Sequence, residues 1–155
     1  MNTNVTAYWE QFLDSLPADS PYRIRPFTAE PWGDSPAMAD ELGHLIADGT
    51  KTATCSSVWE WEFEGEAWPQ VGHLTIVLNG KGDPLCIIEV TEVELKRFNE
   101  VDAQFAYEEG EGDRSLAYWR AAHQRFFGRS MQKIGRTFAE DIPLVCERFR
   151  VIYKP

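Results

Sequence analysis

The chain has 155 residues, a length that fits one domain. Apolar residues make up 43% of it and charged residues 26%, a composition neither disordered nor membrane-like. Its net charge of −10 excludes indiscriminate coating of nucleic acid, because phosphates repel an acidic surface. No window reaches the roughly 18 apolar residues of a membrane span. The start, MNTNVTAYWEQF, lacks the basic and apolar runs of a signal peptide, so a cytoplasmic protein is expected. The charge is uneven. Residues 1–113 hold 22 acidic and 6 basic residues, whereas residues 114–155 hold 9 basic and 3 acidic ones. The C-terminal third is therefore either a surface for RNA or a phosphate, or the counterpart of the acidic part within one fold.

In chain order, Val5, Tyr8, Trp9, Phe12, Leu13 and Leu16 recur at helical spacing, with Asn4 as cap and Pro17 as stop. Arg23 to Phe27 reads as a short strand or extended arm before the loop EPWGDSP. Ser35 and Pro36 open a second helix carrying Met38, Leu42, Leu45 and Ile46 on one face, and Gly49 stops it. Residues 50–57 are strand-like. In SSVWEWEFEGEAWPQ the alternation suits a strand and the Ser57–Glu60 capping box suits a helix; the helix is the preferred reading. His73 to Leu78 and Leu85 to Phe98 read as strands around the turn NGKGDP, followed by a short helix over Val101 to Glu108. After the acidic loop EEGEGD, Asp113 can cap a helix with Leu116, Trp119, Ala122, His123, Phe126 and Phe127 on its apolar face, ending at Gly128. Cys146 to Tyr153 is a last strand. Five or six strands with helices before, between and after them predict an α+β fold built on a small mixed barrel.

Cys55, Cys86 and Cys146 are an odd number, lack a C-x-x-C pair and sit in apolar runs, so reduced, buried thiols are expected rather than a zinc site. Glu89 stands out inside CIIEVTEV, where a buried carboxylate needs a partner. It faces a polar cleft, pairs with a cation, or lies on an exposed strand face. Lys51, in GTKTAT, follows a helix stop. In a regular strand Lys51 and Thr54 would point to opposite faces, so they meet only if the start of the strand is irregular. Such a Lys can act as a base if its pKa falls, hold a phosphate, or pair with Glu89. His123 reads as a satisfied core or interface residue, and His44 and His73 have no partner pattern. Glu108, Glu109, Glu111 and Asp113 read as solvated acids ahead of a helix, or as oxygen ligands for a divalent cation. Tyr107, Trp59 and Trp61 can stack on a base, with core packing the alternative.

The segment GTKTAT, Gly49 to Thr54, resembles the G-x-K-x-x-T motif of ASCH domains. PLCIIEVTEV resembles that family's later strand, and EGEGDRSLAYWRAAHQRFF followed by PLVCERFRVIY is similar to the longer bacterial members. The resemblance runs from about Arg25 to Tyr153 and implies a single domain over residues 1–155, a PUA-like barrel with an N-terminal helical extension, with a cleft between barrel and helices and RNA binding or metabolism. One branch of shorter members deacetylates an acetylated cytidine with a Lys, a Thr and a Glu that match Lys51, Thr54 and Glu89. Longer members bind nucleic acid and cleave single-stranded RNA with a divalent metal. The first functional expectation is thus an RNA-cleaving hydrolase centred on Lys51, with Gly49, Thr52, Tyr107, Arg120 and Arg136 contacting substrate. Glu109, Glu111 and Asp113 are then candidates for magnesium. The alternatives are a nucleoside amidohydrolase, with Thr54 as nucleophile, Lys51 as base and Glu89 in support, or a non-catalytic reader of RNA or nucleotides.

Overall fold

The computed structural model describes residues 3–155. In chain order the elements are α1 (Thr3–Asp14), β1 (Phe27–Pro31), α2 (Pro36–Ala47), β2 (Ala53–Ser57), α3 (Val58–Glu64), β3 (Leu74–Leu78), β4 (Pro84–Arg97), α4 (Ala103–Glu109), α5 (Leu116–Lys133) and β5 (Pro143–Tyr153). The strands form one sheet in the order β1-β3-β4-β5-β2, with β1 parallel to β3 and every other pairing antiparallel. The sheet curls into a half-barrel, and the α+β architecture is the one expected. The curl has a local cause. The register of the two longest strands, β4 and β5, shifts between Ile87 and Ile88 and again between Val90 and Glu92, and such bulges bend a strand and increase its twist.

Strand alternation divides the core. On one face, Leu74, Ile76, Leu78 and Ile87 pack against Val5, Trp9 and Phe12 of α1. Farther along the sheet, Ala53, Leu144 and Cys146 meet Phe105 of α4 and Trp119 and Phe127 of α5. On the opposite face, Val77, Cys86, Ile88 and Phe149 pack under Ile46 of α2. The remainder of that second face is polar: Thr28, Thr75, Thr54 and Glu147 line a cleft. No helix among the described residues is long and apolar enough to cross a membrane.

Several local expectations change. Of residues 23–27 only Phe27 lies in a strand. Ser20 caps a single 3-10 turn, Pro21–Ile24, and the edge strand forms four residues later, where Pro31 can end it because an edge position has no ladder bond to lose. Asn4 lies within α1 rather than before it. α3 is a helix, but the Ser57 side chain makes no cap bond. Ser115 caps α5, while Asp113 accepts from the Ser115 N–H. α5 runs through Gly128: an interior Gly costs about 1 kcal/mol relative to Ala, less than burying Phe127 and Met131 contributes. All three cysteines are free thiols, with Cys86 and Cys146 buried and Cys55 only partly so.

Candidate active site

The path from α2 to β2 sets the site. α2 opens as its sequence dictates, with Ser35 Oγ accepting from the Met38 N–H at 3.1 Å and Pro36 in the first turn. At its end Gly49 takes φ +85°, and the N–H groups of Thr50 and Lys51 both donate to the Leu45 carbonyl at 3.0 Å. Thr52 then donates to the Glu108 carbonyl at 2.8 Å, so regular pairing begins only at Ala53. Lys51 and Thr54 both line one cleft, and so does Cys55, which follows Thr54 in the strand and bonds Glu109 beside Lys51.

Lys51 is 2% exposed. Its Nζ donates to Glu109 Oε1 at 2.7 Å, to Glu111 Oε2 at 3.0 Å and to the Glu109 carbonyl at 3.3 Å. Glu109 is equally buried, and its other oxygen is just as occupied. Oε2 accepts from Trp119 Nε1 at 2.6 Å and from the Cys55 thiol at 3.4 Å, with His123 Nε2 at 3.3 Å. The His123 ring stacks on Trp119, and its Nδ1 donates to the Trp119 carbonyl at 2.9 Å. Burial opposes the charge on each of these groups, but they compensate one another. Glu109 and Glu111 raise the Lys51 pKa above its ordinary value, and Lys51 and His123 hold Glu109 well below the carboxylate range. Glu109 likewise raises His123, whereas burial and the neighbouring Glu109 push the Cys55 thiol up. The result is an ionised Lys51–Glu109 pair, with Cys55 kept as a thiol and the groups satisfied by one another.

Glu89 does not join it. Glu89 pairs across the sheet with Leu74, on the α1 side, whereas its neighbour Ile88 faces the cleft. Alternation therefore carries Glu89 to the wrong face. There it accepts from Tyr22 Oη at 3.0 Å and pairs with Arg150 at 2.9 Å and Arg25 at 3.0 Å. The carboxylate that meets Lys51 is Glu109. Glu89→Gln is accordingly expected to lower stability by only about 1 kcal/mol, since Arg150 is largely exposed and screened, and to change ligand binding in the cleft no more than a loosened Arg25 allows, about 2- to 3-fold rather than a loss. Urea denaturation and a binding titration check this, and a loss of binding would contradict the placement.

The other sequence candidates scatter. Gly49 and Thr52 shape the turn without lining the cleft. Tyr107 is exposed beneath the Arg114 guanidinium, 3.6 Å from its ring centroid. Arg120 donates to the carbonyls of Phe98, Asn99 and Val101, and Arg136 lies over the Trp59 ring. The magnesium candidates do not fit that ion. The oxygens of Glu109 and Glu111 that converge do so on the Lys51 ammonium, while Asp113 is turned to the Ser115 N–H and Glu108 to Arg148. Cys55, Glu109 and His123 do bring a sulfur, an oxygen and a nitrogen within 4.8 Å. A metal there would have to displace the protons of thiol and imidazole beside a fixed ammonium.

The cleft measures about 830 Å³. Trp32, Trp61, Trp68 and Phe126 supply its aromatic walls. Arg125 and Arg129 line it from α5; Arg129 pairs with Asp34 at 3.1 Å, and Arg125 has no ion-pair partner among the described residues. On its sheet side Thr54 stands directly opposite Glu147. Glu147 is a cleft residue that the sequence reading did not single out, and His123, expected as a satisfied core or interface residue, lines the cleft while bonded to Glu109. Glu147, in PLVCERF, carries the same signal as Glu89, a single acid in an apolar strand.

An ASCH domain model matches residues 29–153 of the chain. The chain belongs to the ASCH domain family. The ASCH domain of Lactobacillus crispatus JV V101 superposes on this ASCH protein with a TM-score of 0.93 at 40% identity, over 99% of this chain and 96% of that one. Protein EF3133 of Enterococcus faecalis V583, described by the family-model DUF984, gives 0.85 at 36% identity over 98% and 90%. The hypothetical protein PH0355, 15% identical with a TM-score of 0.51, shares the fold alone. No curated protein sequence matches this one.

Proposed function

We propose that this ASCH protein binds a nucleoside-sized ligand in the cleft and hydrolyses an amide on its base. The observation that carries the reading is the Thr54 hydroxyl and the Lys51 ammonium on the walls of one tryptophan-lined cleft of ligand size. The charge of the cleft favours a nucleoside over a phosphodiester strand. Six glutamates line it against three arginines and Lys51, and Lys51 is already neutralised by two of the glutamates. The strand-cleaving alternative needs Arg120 and Arg136, which do not line the cleft, and a metal held by Glu109 and Glu111, which line it but are engaged with Lys51. Arg125 leaves room for a nucleoside at the end of an RNA chain, since its unpaired guanidinium can take one phosphate.

In this reading Thr54 Oγ attacks the amide carbonyl carbon. Lys51 is held as an ammonium and does not act as a base; with its three protons on Glu109 and Glu111, it favours the developing oxyanion through its charge rather than through a hydrogen bond. Glu109 fixes the ammonium, and Trp119 and His123 fix Glu109. The test is incubation with N4-acetylcytidine followed by chromatography. Wild type should release cytidine and acetate, and Thr54→Val, which keeps the side-chain shape, should lower kcat about 10²-fold or more. Unchanged acetylcytidine with wild type, or full activity in Thr54→Val, would refute it.

A further inference from the structure

A charged Lys51 leaves the Thr54 proton without an acceptor, and most other cleft groups are closed to it. Glu109 is held ionised with both oxygens occupied, and Glu111 is bonded to Lys51. His123 has Nδ1 on the Trp119 carbonyl and Nε2 on Glu109. His73 Nε2 is engaged with Thr28 Oγ1 at 3.0 Å, near the β1 edge, whereas Thr54 lies on β2 at the other edge. Glu147 differs on every count. It is the cross-strand partner of Thr54, so its side chain stands beside Thr54 on the same face. It is only 8% exposed, and its carboxyl takes no hydrogen bond or ion pair among the described residues. Burying a carboxyl without a partner is costly, and this one lines a cleft with room for a ligand.

We propose that Glu147 is a catalytic residue of this cleft, the group that removes the Thr54 hydroxyl proton and returns it to the leaving amine. The assignment rests on the amide reading above. As Thr54 Oγ bonds to the carbonyl carbon, its proton passes to the Glu147 carboxylate and the oxyanion forms against Lys51. Collapse breaks the C–N bond, and the amine leaves with the proton from Glu147. Water then attacks the Thr54 ester and gives a proton to Glu147. The acid departs as Thr54 Oγ takes that proton back. Nothing is oxidised or reduced.

Ionisation agrees with position. Burial first, then the charges of Glu30 and Glu109, push the Glu147 carboxyl up to about 7, so both forms are populated near neutral pH. Glu30 of β1 and Glu109 of α4 face it as like charges, while His73, Arg25, Arg125 and Arg129 line the rest of the cleft.

Carbon-13 NMR titration of the Glu147 carboxyl, which needs no substrate, should give a midpoint near 7. A midpoint in the ordinary carboxylate range overturns the proposal. With acetylcytidine, kcat/KM should fall on the acid side with the same midpoint. Glu147→Gln should lower kcat about 10²–10⁴-fold with little change in KM and should lose that acid limb. Glu30→Gln, which removes a neighbouring charge, should move the limb to lower pH, a change that misfolding of Glu147→Gln cannot mimic. Wild-type kcat in a folded Glu147→Gln, with an active parent, overturns the base alone. A parent inert toward acetylcytidine overturns the amide reading, and the role of Glu147 falls with it.

Discussion

Lys51→Met is expected to destabilise the protein by about 3–5 kcal/mol, the usual result of removing one member of a buried ion pair. The magnitude follows from what remains. Glu109 would keep its bonds from Trp119 and His123, but Oε1 would face the methionine in a site that solvent barely reaches. In a chain of 155 residues this corresponds to a fall of roughly 6–20 °C in Tm. The pH dependence gives the test its sign. In the wild type the Glu109 pKa is depressed, so its contribution is present above the ordinary carboxylate pKa and is lost as pH falls. The Lys51 pKa is raised, so its contribution is present below the ordinary lysine value and is lost only as pH rises beyond it. Both contributions are therefore in place from about pH 5 to 10. Without Lys51 the Glu109 pKa rises, and protonation relieves the penalty. The gap between variant and wild type should thus narrow between pH 8 and pH 5 in urea denaturation. A gap below 1 kcal/mol at pH 8, or one that does not change with pH, would show that the ammonium does not hold the carboxylate.

The contrast among Glu89, Glu109 and Glu147 shows which parts of the site were legible. The helix stop at Gly49 and the strand character after it are local signals, and they drew attention to Lys51 and Thr54, both of which line the cleft. Alternation also established that Glu89 and Ile88 face opposite ways. It could not say which face would be cleft and which would be covered by α1, because that depends on packing between residues far apart in the chain. Glu147 carried the same signal on the face that proved to be open. Glu109 was hidden differently, as one acid among several in EEGEGD. It becomes a buried ligand of Lys51 only because Gly110 turns the chain and Trp119 folds back onto it. Arg120 and Arg136 looked like hands for a nucleic acid strand. The fold uses them on its own carbonyls and on an indole ring, competition that no local pattern announces.

Gly110→Ala is the second substitution for which a large loss is expected, because this glycine is where α4 and the Lys51 segment approach most closely. Gly110 has φ +74°, which alone costs an L-residue roughly 1–2 kcal/mol. A Cβ there would also lie 2.6 Å from the Thr50 carbonyl oxygen and 3.0 Å from Lys51 Cα. Both neighbours are backbone, and Lys51 N and Thr50 N are bonded to Leu45, so neither can move without opening the α2 terminus. Overpacking against fixed atoms adds about 1–3 kcal/mol, and the combined loss should be about 2–5 kcal/mol. The displacement also separates Glu109 and Glu111, which flank Gly110, from the ammonium they hold, so ligand binding in the cleft should weaken together with stability. Gly65→Ala is the matched control. Gly65 has φ +69° at the end of α3, but a Cβ would meet nothing within 4 Å. It should lose only the backbone part, about 1–2 kcal/mol, and keep binding. If calorimetric Tm values and ligand titrations show equal losses for the two variants, the close approach at Gly110 does not position the Lys51 site, and the coupling between the α4 turn and the cleft is absent.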